Sequence, residues 1–225
     1  MKSSISRMLA LIVLAFVVIF ISSSKKARAA DKNILVTEFK DVKHINKLVL
    51  IGNVDVYLTQ GNEENLKVYD NYYKKNALVQ WENGELRITS FDKERLAVTI
   101  TVSNLSVIEA SGNVNIRSMS ELSSVDLDIQ LKNNASAQIE AQAVNISSSL
   151  QDQSKLVLSG ESENQHIALN GTAEYEATRF ISPNRSMTIA DGAVASINQG
   201  GQATSIKTYS RVSEKEDTLF FDLDF

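Results

Sequence analysis

The sequence predicts an all-β chain, a parallel β-solenoid clearest over residues 105–206, with a mixed or antiparallel N-terminal part. Three observations predict it. Turn formers Gly112, Asn133, Asp152, Gly171 and Gly192 recur at spacings of 21, 19, 19 and 21 residues. Around each turn, mostly apolar positions recur at period two: two residues before it (Ala110, Leu131, Leu150, Leu169, Ala190), four before it (Ile108, Ile129, Ser148, Ile167, Thr188) and two after it (Val114, Ala135, Ser154, Ala173, Val194). No stretch carries the apolar stripe of a long helix; the nearest, Asp70 to Leu78, is rich in Tyr and Lys and has no clean face. Alternation of period two marks a strand, and a fixed period of about 20 residues marks rungs that stack rather than layers that pack.

Stacking has a physical cause. Each rung adds backbone hydrogen bonds to the one below at about 4.8 Å, so inward side chains pile like on like. The predicted core column is Ala110, Leu131, Leu150, Leu169 and Ala190, small at its ends and leucine in its middle. Burying each leucine contributes about 1.5–3 kcal/mol relative to exposure. Gly and Asn at the corners accept positive φ with least strain, which lets the chain turn at every pass. Stacked Asn at Asn133 and neighbouring rungs is placed to form amide ladders.

Taken in order, residues 1–29 read as an export signal cleaved after Ala29. Lys2 and Arg7 precede the apolar run Met8 to Ile21, and Ala27-Arg28-Ala29 fits the small-x-small rule. The run is shorter than the roughly 20 residues of a membrane span, so no transmembrane domain is expected after its removal. Lys25, Lys26 and Arg28 follow the run, where positive charge opposes translocation, and this keeps an uncleaved anchor open as the alternative. Removing five bases and no acid takes the net charge from −4 to −9. An acidic surface argues against nucleic acid and anionic lipid as partners. With no cysteine there is no disulfide, thiolate metal site, cysteine nucleophile or lipid anchor, so the chain is not read as a lipoprotein.

Residues 30–38 are a flexible start, and residues 39–225 are the solenoid domain. Leu48, Leu50, Gly52, Val54 and Val56 repeat the rung pattern 60 residues ahead of Gly112, three periods. Strands at Leu66 to Tyr69, Leu86 to Thr89 and Leu96 to Val102, with turns at Gly61-Asn62 and Asn83-Gly84, predict hairpin pairing that caps the first rung. At the far end Leu219, Phe221, Leu223 and Phe225 alternate with Phe220, Asp222 and Asp224. This strand either docks on the end of the stack or pairs with a second copy, giving a homo-oligomer.

Gly52-Asn53-Val54-Asp55-Val56-Tyr57-Leu58-Thr59-Gln60-Gly61, Gly84-Glu85-Leu86-Arg87-Ile88, and Leu105 with Ile108-Glu109-Ala110-Ser111-Gly112-Asn113-Val114 carry a resemblance. They resemble the opening strand ending in Gln-Gly, the Gly-x-Leu-x-Ile strand and the Ser-Gly rung turn of the auto-transporter adhesin head family, the GIN domain of exported Bacteroidota proteins. The later rungs depart from it, with Asn133-Asn134, Asp152-Gln153 and Asn170-Gly171 in place of Ser-Gly, and the expected Gly- and Pro-rich tail is missing. What the resemblance implies, from Phe39 to the C-terminus, is an exported, right-handed, single-stranded β-helix with an adhesin-like role.

Chemistry-bearing residues are sparse. A serine nucleophile needs a base, and the chain offers His44 and His166, neither in a Gly-x-Ser-x-Gly elbow. Parallel β-helices also host polysaccharide lyases and hydrolases with clustered carboxylates. Here Asp126 and Asp128 share a strand face, with Glu109 or Glu140 able to approach from adjacent rungs, or they form a solvated acidic face. No metal set stands out and no cofactor is expected. Tyr69, Tyr72, Tyr73 and Trp81 are the densest aromatic group. Exposed, they would stack on sugars or anchor a partner; buried, they pack the cap.

The reading is therefore a non-enzymatic binding or structural protein of the cell envelope, in the periplasm or at the cell surface. Its expected partners are a glycan or an envelope or matrix protein, because a solenoid flank repeats its contacts. The alternatives are a β-helical carbohydrate-active enzyme, or an envelope scaffold or sensor held by its N-terminal helix.

Overall fold

The computed structural model describes residues 36–69, 77–190, 192–199 and 202–207, the side chains of 199 and 202–207 excepted. All lie in the unit Ile34–Phe225. The export signal 1–29, most of the start at 30–38, Tyr72, Tyr73 and the tail from Leu219 to Phe225 lie outside the described residues. No helix of the described residues is long and apolar enough to cross a membrane.

The fold is all-β. In chain order the strands are β1 (Val36–Phe39), β2 (Lys47–Gly52), β3 (Val54–Gln60), β4 (Asn65–Tyr69), β5 (Ala77–Glu82), β6 (Glu85–Ser90), β7 (Leu96–Val102), β8 (Val107–Gly112), β9 (Asn115–Ser118), β10 (Leu122–Lys132), β11 (Ser136–Leu150), β12 (Lys155–Leu169), β13 (Glu174–Ile181), β14 (Asn184–Ile189), β15 (Val194–Gln199) and β16 (Gln202–Lys207). They form one branched, curled sheet. Two parallel ladders run through it. One has the order β6-β2-β8-β10-β11-β12-β14. The other has the order β7-β3-β9-β11-β12-β13-β15. The long strands β11 and β12 cross from the second ladder into the first, and the inward rows of both ladders share one core.

The periodic alternation read from the sequence is what fills that core. In the first ladder Ile88, Leu50, Ala110, Leu131, Leu150, Leu169 and Ile189 stand in register. The second ladder aligns Val98, Val56, Ile116, Ala137, Leu156, Tyr175 and Ala195. Two expectations are corrected here. Ala190 is not in the column: Leu169 pairs with Ile189, and Ala190 is only half-buried. Two residues separate Ile189 from Gly192 where one separates Leu169 from Gly171, so a count anchored on the turn slips by one and likewise misplaces Thr188 and Val194. Met187 and Ala193 hold those inward places. Nor does the column taper, because Leu50 and Ile88 continue it past Ala110.

The 60-residue offset is also not three stacked periods. Gly52 pairs directly with Gly112 along β2 and β8. The intervening chain runs out through β4 and β5, then returns as β6 and β7 on the outer side of β2 and β3. Antiparallel pairing closes this edge, as expected for β4 on β7 and β5 on β6. Two details differ from the sequence reading: Val36 to Glu38, within the start read as flexible, pair in β1 with β4, and the turn at Gly61-Asn62 joins β3 to β4 without pairing them, because β4 takes the outer edge of β7. The β5–β6 turn at Asn83-Gly84 has φ of 51° and 82°, suited to a two-residue hairpin. At the other end the last strand departs from the parallel pattern, since β16 is antiparallel to β15.

All five predicted corner residues have positive φ: Gly112 at 93°, Asn133 at 60°, Asp152 at 62°, Gly171 at 73° and Gly192 at 87°. Gly52 belongs with them at 91°, and a Cβ there would lie 2.0 Å from the Ser90 carbonyl oxygen, so only glycine fits. Gly160 answers a different need. It sits where β12 passes between the ladders, and its Cβ would lie 2.0 Å from the Ala141 carbonyl oxygen. Side chains fasten the segments too. Gln60 donates to the carbonyls of Ser103 and Ser123 and accepts from the Ser123 N–H, joining β3 to the ends of its neighbours.

Glu64 does similar work, accepting from the Ile45 N–H at 3.2 Å, the Ser103 N–H at 3.0 Å and the Ser103 hydroxyl at 2.8 Å. Partial burial pushes its pKa up, but the hydrogen bonds from Ser103 and from the His44 and Ile45 backbone outweigh it and hold the carboxyl below its ordinary value. A depressed carboxyl stabilises the fold above its unfolded pKa and loses that contribution as pH falls through the folded one. Thermal melts of Glu64→Gln should therefore fall below wild type at pH 7 and converge on it near pH 3. Leu150→Asp places an unpaired charge at a fully buried position and should cost more than about 3 kcal/mol in denaturant unfolding. Gln151→Asp, at the neighbouring corner, should cost under about 0.5 kcal/mol; equal losses would mean that the register is wrong.

Candidate functional site

An open groove of about 820 Å³ runs across β8, β10, β11, β12 and β14. Its position follows from the register. Residues two apart on a strand point to the same face, so β10, β11, β12 and β14 each give the groove two outward side chains, and β8 adds Val107 at one end. One row is Asp126, Asn145, Asn164 and Asn184; the other is Asp128, Ser147, His166 and Ser186. Between the rows the backbones of Leu127, Ile146, Gln165 and Arg185 form the floor.

The first row is bonded end to end. Asn184 donates through Nδ2 to Asn164 Oδ1 at 3.2 Å, Asn164 to Asn145 Oδ1 at 2.9 Å, and Asn145 to Asp126 Oδ1 at 2.7 Å. Its direction is fixed by chemistry. An ionised carboxylate only accepts, so Asn145 must turn its NH₂ to Asp126, which leaves its oxygen for Asn164, and so on along the row. The amides are thus polarised one way and held rigid, each keeping one N–H and one lone pair for a ligand. Asn133 takes no part in this row; its amide donates to Ser111 Oγ, while Asn134 donates to Asn113 Oδ1.

In the second row His166 Nδ1 lies 2.8 Å from Ser186 Oγ. That is a nucleophile–base distance. However, the carboxylate of the row, Asp128, stands two strands from His166, about 9.6 Å away, too far to orient the ring. Gln130 donates to Asp128 at 2.7 Å. Under the floor, Arg185 donates to Gln165 Oε1 and, at 3.0 Å, to the Asn198 carbonyl, while Gln165 donates to the Tyr175 hydroxyl at 2.6 Å. Burial pushes the Tyr175 hydroxyl well above its ordinary pKa and lowers that of Arg185. The buried Ser148 hydroxyl is near enough to Tyr175 to oppose that rise slightly, yet it lacks good hydrogen-bond geometry to any partner.

Of the residues singled out from sequence, Asp126 and Asp128 do share the groove. Glu109 does not join them. It pairs across from Gln130 and is bound by Lys47 at 2.8 Å, while Glu140 lies on the part of β11 that pairs with Ser159. Tyr69 stands on β4 opposite Ala97 and Trp81 on β5 opposite Leu86, so these two rings sit on different strand pairs. Trp81 faces the core side, over Leu86, and is 43% exposed. The asparagine row escaped sequence reading although its spacings of 19, 19 and 20 were visible. Counting was anchored on the turns, and this row lies on the face opposite to the apolar pattern.

No curated protein matches. Solved structures with the same fold include an adhesin, so described as putative, from Bacteroides fragilis, with 20% identity over 73% of this chain and 78% of that one and a TM-score of 0.65. A protein from Parabacteroides distasonis described as a putative lipid binding protein has 16% identity over 72% and 81%, with a TM-score of 0.56. A Parabacteroides merdae protein described as a putative adhesin has 15% identity over 69% and 77%, with a TM-score of 0.51. The family model described as "Putative auto-transporter adhesin, head GIN domain" matches residues 44–212, and the chain belongs to that family.

Proposed function

We propose that the chain is an exported, non-enzymatic binding protein of the cell envelope, adhesin-like, and built as a right-handed, single-stranded parallel β-helix. The parallel pairing of segments 19 to 21 residues apart from β8 onward supports the coil, and the general rule for parallel crossovers supports its hand. One observation carries the binding role: a groove that crosses five strands, walled by two rows whose donors and acceptors repeat at the strand spacing. Such a surface engages an extended ligand at several equivalent points, each contact adding to the last.

Ser186 beside His166 favours the enzymatic alternative, since it brings a hydroxyl and a base together. Against it, among the described residues no carboxylate stands within reach of the His166 ring to orient it as a base, Asp128 of the same row lying about 9.6 Å away. We also assign export by a signal cleaved after Ala29, with residence in the periplasm or at the cell surface and no lipid anchor.

Mass spectrometry of the mature protein should find Ala30 at the N-terminus; retention of Met1 would favour the anchored scaffold. Beads carrying residues 30–225 should attach to bacterial envelope or matrix-protein surfaces without releasing sugar fragments from them; fragment release that Ser186→Ala abolishes would favour the enzyme. Trp81→Ala should lower the Tm by a few degrees without changing attachment, because the ring is half-exposed on the strand face that covers the core edge and lies away from the groove. Loss of attachment in Trp81→Ala with an unchanged Tm would move the binding site to the aromatic group.

A further inference from the structure

We infer that the groove across β8, β10, β11, β12 and β14 takes an extended, uncharged carbohydrate chain; the inference rests on the binding role proposed above and adds the class of ligand. Shape restricts the occupant first. The two rows stand on residues two apart along each strand, so their Cα atoms are about 6.6 Å apart, whereas an α-helix with side chains is roughly 10–12 Å across. A helix can therefore rest on the rows but not sink between them, whereas a narrower chain can reach the floor. A peptide strand laid across the groove gains no backbone pairing from β8 to β12, which are paired on both sides; among the described residues only β14, at one end, keeps a free edge, and a strand added there would lie beside the groove rather than in it. Across five strands the groove runs about 19 Å, a length that suits a polymer lying along the stack.

Chemistry restricts it next. The asparagine row offers a rigid, one-way series of amides, each with a donor and an acceptor to spare, which matches a chain bearing hydroxyls at regular intervals. Asp126 and Asp128 place two carboxylates at one end, which repel a polyanion. The one base of the floor, Arg185, is spent on Gln165 and Asn198. Backbone and aliphatic atoms between the rows give sugar C–H faces an apolar surface. Hydroxyls, C–H faces and the exclusion of anionic groups together point to a neutral glycan.

The test uses purified residues 30–225 against a panel of neutral oligosaccharides of hexose and N-acetylhexosamine, oligouronates of equal length, an extended peptide and a fatty acid. At least one neutral oligosaccharide should bind, with affinity rising with length up to the span of the groove and then levelling. Matched oligouronates should bind at least tenfold more weakly. The Asn145→Ala, Asn164→Ala double variant should lose binding at least tenfold. Ser147→Trp, which fills the groove without touching the amide row, should lose it too while keeping the wild-type circular dichroism and Tm. Binding that prefers the uronate, peptide or fatty acid, or that both groove variants retain, overturns the inference. So does the absence of binding across the neutral panel. Attachment to envelope or matrix that neither neutral glycans nor groove variants disturb would sink the ligand class and leave the adhesin-like reading standing; no attachment to any surface would sink that reading itself.

Discussion

Register between parallel strands is the constraint from which the rest of this molecule follows. A one-residue slip sends every inward side chain to the outer face. The pairing of Leu131 with Leu150 and of Leu150 with Leu169 is therefore enforced by burial, since all three are buried to within 2%. Strand after strand inherits the alignment from the one before. At the corners the same demand selects residues that tolerate positive φ, and at Gly52 and Gly160 it leaves no room for a side chain at all.

What holds the inside in line also orders the outside. Because Ile146 and Gln165 are fixed in register, the asparagines next to them in sequence stack at the strand spacing and bond to one another. Asp126 then sets the direction of the whole row by being unable to donate. An acid at one end of a run of amides thus becomes a polarised wall. The second row repeats position rather than residue type, with Asp128, Ser147, His166 and Ser186. Preorganised polar atoms of this kind give affinity to a ligand that is itself periodic, because little ordering cost falls on the protein.

Much of this was legible in the chain. Turn formers at Gly112, Asn133, Asp152, Gly171 and Gly192 announced both the period and the sign of φ, and Asn83-Gly84 announced a hairpin. Family membership was readable from Gly52 to Gly61 and from the Ser-Gly turn. Three things were not. Gly192 stands one position later in its corner than Gly171 does, because Leu169 pairs with Ile189 and Glu174 with Val194 across a corner of unchanged length; a count from the glycine therefore lands on Ala190 instead of Ile189. The offset of 60 residues concealed an excursion that returns on the far side of β2 and β3, since sequence distance does not say which edge of a strand is taken. The groove was missed because outward rows lack the apolar signature by which periodicity is recognised, and because Asp126 and Asp128 were weighed for catalysis rather than as the end of two stacks.

Crosslinking reads the register directly, and the chain has no native cysteine to confuse it. Ser149 and Ala168 are pairing partners on β11 and β12. Neighbouring strands lie about 4.8 Å apart, within the Cα range of a disulfide. Asn170 is two residues further along on the same face, about 8 Å from Ser149 and beyond that range. Mild oxidation of the Ser149→Cys, Ala168→Cys variant should form the intramolecular bond nearly completely, with Ser149→Cys, Asn170→Cys staying reduced. Equal yields, or a higher yield from the second pair, would contradict the in-register ladder and with it the groove built upon it.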